Sequence, residues 1–289
     1  MATLKQIRQR IRAAKNTQSI TRAMKLVAAA RLTKAKNRVE EARPYSEKMY
    51  EFILSVGSAG ELPPHPLLDR RPNVKKVALV LITAERGLCG SYNTNLLKTA
   101  QRWLDTQSTD KTLVSVGKKG NLFFSKRGYE VSHAFTVPTA GADLSDAVTL
   151  TNTISEMFTN GEVDAVYLCY SKFISAIRQE PKVIQLLPIE PPQLEEGEAA
   201  SQGKEYAFEP KPEDLLTLLL PKYLLTVTYQ ALLESSASEH GSRMTAMSSA
   251  TDNAGKMIGE LTLTANRVRQ AAITTEILEI VAGAEALKS

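Results

Sequence analysis

The residues whose types could do chemistry cluster around one short stretch. Residues 85–93 (ERGLCGSYN) set Cys89 between Gly87 and Gly90, directly after the apolar run of residues 77–83 (VALVLIT). A thiol at the end of a strand is where a nucleophile would stand, and a glycine-punctuated strand-to-helix turn is where a phosphate would be cradled. Thiol chemistry needs a base close by, yet His65, His133 and His240 are scattered and none neighbours Cys89. Phosphate chemistry needs a G-x-x-x-x-G-K-[ST] loop or a G-x-G-x-x-G following a strand, and neither occurs. The turn is therefore read as a connection in which glycine supplies φ > 0. Cys89 and Cys169, in unrelated contexts, offer neither a disulfide framework nor a metal quartet and suit a reducing compartment. No catalytic residue, metal ligand or cofactor is assigned.

The elements that position this turn follow from the change of period around it. Residues 77–83 read as a strand covered on both faces, residues 94–106 as a helix, 112–116 as a strand and 118–127 as a helix. Residues 130–136 read as a strand, 143–159 as a helix, and 165–170 and 183–187 as two more strands. Such alternation predicts a small, mostly parallel α/β sheet with helices on its faces. The expected division is 1–57 N-terminal helix, 58–73 linker with four prolines, 74–190 α/β domain, 191–211 acidic linker and 212–289 C-terminal helix. Residues 190–214 carry eight Asp or Glu against two Lys, which marks a surface segment.

Both ends of the chain have helical spacing. Residues 3–43 contain neither Gly nor Pro, and Pro44 is expected to kink the helix or start a new turn. Leu4, Ile7, Ile11, Ala14, Gln18 and Thr21 recur in steps of three and four, continuing through Met24, Ala28, Leu32, Ala35, Val39 and Ala42. Met244, Met247, Thr251, Ala254, Ile258, Leu261, Ala265, Val268, Ala272 and Thr275 keep the same heptad spacing. An antiparallel coiled coil of the two ends is the expectation. Pro212 suits a first helical turn, and Gly241, Gly255 and Gly259 each need a packing reason, which close helix approach would supply.

If the first helix ends beside the start of the last, equal rise makes opposing positions sum to roughly 268, which places Leu4 near Thr264. The overhang from residue 265 onward includes Ile273, Ile277, Leu278, Ile280 and Val281, apolar on several sides, and asks for a socket in another protein. From periodicity alone, a rod on a globular foot and an ordinary bundle both stay open. The first 39 residues hold eleven Lys or Arg and no acid, which leaves three readings: a solvated face, a nucleic-acid arm, or a partner for acidic loops. No apolar run reaches the length of a membrane span, and a soluble chain without bilayer insertion is expected.

Residues 20–32 (ITRAMKLVAAARL), 85–93 (ERGLCGSYN) and 237–272 (ASEHGSRMTAMSSATDNAGKMIGELTLTANRVRQAA) resemble the gamma subunit of F-type ATP synthases, and the resemblance spans nearly the whole chain. It implies a central rotor shaft, with a coiled coil inserted through a ring of three alpha and three beta subunits and a Rossmann-like domain near the membrane rotor. Rotation of the proton-driven c-ring would be coupled to conformational cycling of the catalytic sites, and the chain itself would be non-catalytic. Met24 and Lys25 match positions near an acidic segment of beta, Arg269 and Gln270 match positions that touch a beta loop, and the register sets Arg243 beside Met24. The foot would contact the epsilon subunit and the c-ring, with Tyr206, Phe208 and Glu209 on the ring side. The implied location is peripheral, on the cytoplasmic face of a bacterial plasma membrane or the cytoplasmic or stromal face of a thylakoid. Relatives from phototrophs usually carry an insertion near the α/β domain, in the chloroplast form with a regulatory cysteine pair; here the region is short and has no such pair, so thiol regulation is not expected. Two readings from other classes are a nucleotide-dependent α/β enzyme and a basic-armed coiled coil that binds nucleic acid.

Overall fold

A computed structural model describes residues 3–58, 64–138, 141–190 and 212–286 of the chain. The acidic stretch 191–211, and with it Tyr206, Phe208 and Glu209, lies outside the described residues. The elements run α1 (Leu4–Ser58), a 3-10 turn (Pro66–Leu68), β1 (Lys76–Ile82), α2 (Tyr92–Thr106), β2 (Asp110–Val116), α3 (Lys118–Ser125), β3 (Val131–Phe135), α4 (Leu144–Thr159), β4 (Ala165–Phe173), β5 (Gln179–Leu187) and α5 (Pro212–Ala286). They form two compact units, Ala28–Arg243 and Met1–Val27 with Met244–Ser289, so that each long helix contributes to both.

In the first unit the strands are ordered β3-β2-β1-β4-β5. Neighbours are parallel except β5, which runs antiparallel to β4 as the return arm of a hairpin. Val77–Ile82 is buried throughout because helices cover both faces of the sheet. On one face α2 offers Tyr92, Leu96, Ala100 and Leu104, one per turn, with Phe124 of α3 beside them. On the other lie Ala147, Leu150, Ile154, Met157 and Phe158 of α4, together with Ile53 of α1 and Leu220, Leu224, Ala231 and Leu232 of α5. The segment between the 3-10 turn and β1 is tied down by Arg71, which donates to Asp164 Oδ1 (2.7 Å), Phe158 O (2.6 Å) and Val163 O (2.9 Å).

Pro44 and Pro212 both lie within the long helices. Pro44 neither starts a new helix nor ends α1, which continues through it. Pro44 is exposed, so water can take the carbonyl that its missing N–H leaves free, and the interruption costs least there. Pro212 is the first residue of α5, where its missing N–H has no intrahelical partner to lose.

Candidate functional site

The Ala28–Arg243 unit has a topological switch between β1 and β4: the chain runs outward from β1 through β2 to β3, then crosses back to β4 on the other side of β1. In open α/β sheets the crevice beyond the strand ends at such a point receives the ligand. Pairing of β1 with β4 stops at Leu81 and Cys169, so backbone groups further along β4 have lost their neighbour. Here α5 supplies the partners. Ser171 N donates to Ser235 Oγ (3.4 Å), Phe173 N donates to Glu234 Oε2 (3.2 Å), and Ser238 Oγ donates to Ser171 O (3.1 Å). On the opposite wall, Ser242 Oγ donates to Cys89 O (2.7 Å) and Arg243 Nη2 to Gly87 O (3.3 Å).

The turn after β1 differs in detail from its sequence reading. Gly90 takes φ 57°, but the second left-handed residue is Leu88, at φ 61°, and not Gly87. Cys89 is buried, accepts from Asn93 Nδ2 at 3.1 Å, and its thiol is pushed up by burial against the opposing pull of Arg243. Burial raises the thiol of Cys169 to about 12. Both thiols are held protonated at neutral pH, the wrong state for a nucleophile. Behind the turn, Arg243 Nη1 pairs with Glu239 Oε1 at 2.6 Å, and burial raises the Glu239 carboxyl in spite of that partner. His240 is buried with Nδ1 unpartnered, and burial, aided by Arg243 and Arg31, lowers it to about 4. Among the described residues no group of His, Cys, Asp and Glu is arranged to hold a metal ion.

The second unit is a two-helix stem. Ile7, Ala14 and Thr21 of α1 are buried, and Leu4, Ile11, Gln18 and Met24 are half-buried between them; on α5, Met247, Ala254 and Ala265 are buried and Met244, Thr251, Ile258, Leu261 and Val268 half-buried. The polar contacts give the register. Lys25 Nζ donates to Ser248 Oγ (3.0 Å), Thr251 Oγ1 lies 2.8 Å from Thr21 Oγ1, and a Cβ on Gly255 would meet Gln18 Nε2 at 3.0 Å. Equal rise sets Thr21 against Met247, whereas Thr21 meets Thr251, one helical turn further along. The side chain of Arg243, expected beside Met24, is instead taken by Glu239 and Gly87 O. The expectation assumed that α1 ends level with Pro212, and that assumption carried the error.

The glycines separate on the same evidence. Gly241 approaches the β4–β5 hairpin so closely that a Cβ would lie 3.1 Å from Ala176 O, and Gly255 faces Gln18, but nothing stands within 4 Å of a Cβ on Gly259. Close helix approach therefore accounts for Gly255 alone, close approach to the hairpin accounts for Gly241, and neither accounts for Gly259.

Cover along α5 reaches Val268, four residues beyond the expected Thr264. From residue 269 to 284 every position is exposed, among them Ile273, Ile277, Leu278, Ile280 and Val281, with Ile280 at 72%. Such a length of helix carrying large apolar groups is a surface that soluble proteins seldom leave open. On α1 of the same unit, Lys5, Arg8, Arg10, Arg12, Lys15 and Arg22 are exposed and make no ion pair among the described residues.

The sequence pattern of a family described as ATP synthase matches residues 3–287. The ATP synthase gamma chains of Pelotomaculum thermopropionicum and Moorella thermoacetica are 46% and 47% identical over the full length of both chains. The chain belongs to the ATP synthase gamma chain family. Among solved structures, the central stalk and c-ring of the Tetrahymena thermophila mitochondrial ATP synthase contains a chain 27% identical, matched over 80% of this chain and 99% of that one at a TM-score of 0.59. A chain of the Euglena gracilis mitochondrial ATP synthase shares the fold at 17% identity, with a TM-score of 0.66 over 98% and 94% of the two chains.

Family membership makes the chain a non-catalytic subunit, in keeping with the buried, protonated state of Cys89. Lys25 of the family motif in residues 20–32 is half-buried and committed to Ser248, whereas Arg269 and Gln270 are exposed. Sequence reading missed Glu234, Ser235, Ser238 and Ser242. A signal was present in residues 235–242 (SSASEHGS), where four serines and a glycine occupy a helix interior that local propensity disfavours.

Proposed function

We propose that the chain works as the central rotor shaft of an F1Fo ATP synthase, with the stem and the open end of α5 enclosed by a ring of three alpha and three beta subunits. The observation that supports this most directly is the exposure of every residue from 269 to 284 in a gamma chain family member, a length of apolar helix that a surrounding sleeve would cover. An asymmetric shaft turning in a threefold ring meets each catalytic site with a different face. Its contribution is differential contact energy among conformations of its partners, as any shift of states requires.

Met24 and Lys25 are assigned to an acidic segment of beta, Arg269 and Gln270 to a beta loop, and the exposed cations of α1 to acidic surface around them. Residues 191–211, with Tyr206, Phe208 and Glu209, are assigned to the c-ring side, and the epsilon subunit to the foot. No helix among the described residues is long and apolar enough to cross a membrane. The F1 part is peripheral to the membrane, and the face is assigned as cytoplasmic in a bacterial plasma membrane, or cytoplasmic or stromal in a thylakoid. Co-expression with alpha and beta chains tests the reading: stoichiometric co-purification of a ring is expected, and a chain that purifies alone under those conditions overturns it.

A further inference from the structure

The sheet's switch-point crevice is filled by the chain's own helix. Three observations bear on how firmly. First, α5 bonds to both walls, to Ser171 and Phe173 of β4 and to the carbonyls of Gly87 and Cys89 after β1. Ser235, Ser238 and Ser242 stand at positions i, i+3 and i+7, so one helix face does this work. Second, the fit is close: Ser238 and Ala237 are fully buried, and a Cβ on Gly241 would press within 3.1 Å of Ala176 O. Third, Glu239 and Arg243 form a half-buried pair beside the crevice, and burial raises the Glu239 carboxyl. Withdrawal or a slide of one residue would strand polar groups on both sides at once.

We infer that this crevice, which in a nucleotide-binding sheet would open to take a ligand, is a grip that holds α5 through residues 234–243, so that sheet and helix move as one piece. Glu234, Ser235, Ser238, Ser242 and Arg243 are its positioning residues. Its mechanical meaning rests on the rotor reading: force applied to the α/β unit would pass to α5 through these contacts without relative motion.

A removable lock tests the inference in the assembled holoenzyme. Ser171→Cys with Ser238→Cys joins β4 to α5 where Ser238 Oγ now donates to Ser171 O. Oxidation should form the disulfide, identified by peptide mass, with ATP hydrolysis and ATP-driven proton pumping unchanged between oxidised and reduced samples. Loss of turnover on oxidation with recovery on reduction would show that α5 must move in the crevice and would overturn the grip. Should the double variant not assemble or not cross-link, Glu234→Ala and Ser235→Ala, read by hydrogen exchange in the complex, decide instead. Faster exchange at Phe173 and Ser171 respectively is expected, and unchanged protection refutes the grip. A chain that fails to assemble with alpha and beta overturns the rotor reading alone, because cross-linking and exchange can still be read on the free chain.

Discussion

The α/β unit and the two-helix stem draw on the same helices and hold them by different means. In the α/β unit, α5 is enclosed: Ala231–Leu233, Ala237 and Ser238 are almost without exposed surface, and large side chains such as Leu168, Leu96 and Phe124 fill the space around the sheet. In the stem only one stripe of α5 is covered, by small or half-buried groups, and from residue 269 to 284 every position is exposed. Enclosure by many neighbours makes a site intolerant of lost volume, whereas a seam open to water on its flanks loses little when trimmed. What the same helix contributes is set by its surroundings along its length.

Leucine truncation in the two regions sharpens that contrast most. Leu168→Ala should cost about 2–5 kcal/mol in urea unfolding, Leu261→Ala in the half-buried seam about 1 kcal/mol, and Leu278→Ala, already 63% exposed, less than about 0.5 kcal/mol. Equal losses at all three would break the comparison.

A second contrast lies in pH. His240 titrates near 4 when folded against 6.5 for an ordinary imidazole, so the unfolded chain takes up its proton first as pH falls. The stability that neutral His240 supports is complete above pH 6.5 and is lost between 6.5 and 4, on the order of 3 kcal/mol over the window. His240→Gln should flatten unfolding free energy across that range. Removing Lys25, a half-buried hydrogen-bond donor of the stem, should not.

Register gives a third test, with a smaller energetic signature. Thr21→Cys with Thr251→Cys should oxidise to a disulfide in the stem, and Thr21→Cys with Met247→Cys should not; the reverse result would move the seam by a turn. The smallest effect separates two glycines of α5. Gly259→Ala should stabilise the helix by up to about 1 kcal/mol because its Cβ would enter open space, while Gly255→Ala gains less, since Gln18 must move from 3.0 Å. Thermal melts of the two variants compare them directly.

Periodicity and composition carried much of this. The run VALVLIT is the central strand β1, alternation of strand and helix patterns predicts a sheet covered on both faces, and steps of three and four select the stripe that is covered in the stem. Each of these depends on near neighbours in the chain and on a repeat that secondary structure imposes.

The turn at residues 85–93 shows where local reading stops. Its residue types alone argued against a nucleophile or a phosphate cradle, since base and motif were both missing. That Cys89 is buried, that Leu88 takes the left-handed conformation, and that Gly87 and Cys89 offer their carbonyls to α5 depends on residues some 150 positions away. By itself the sequence determined the elements, the family and the apolar character of the last turns of α5, because each is written in types and spacing. The tertiary structure decided the register of the stem and the filling of the crevice. A heptad seam of small residues tolerates a shift of one turn, and an unpaired backbone group at a strand end does not show in the sequence until another segment arrives to satisfy it.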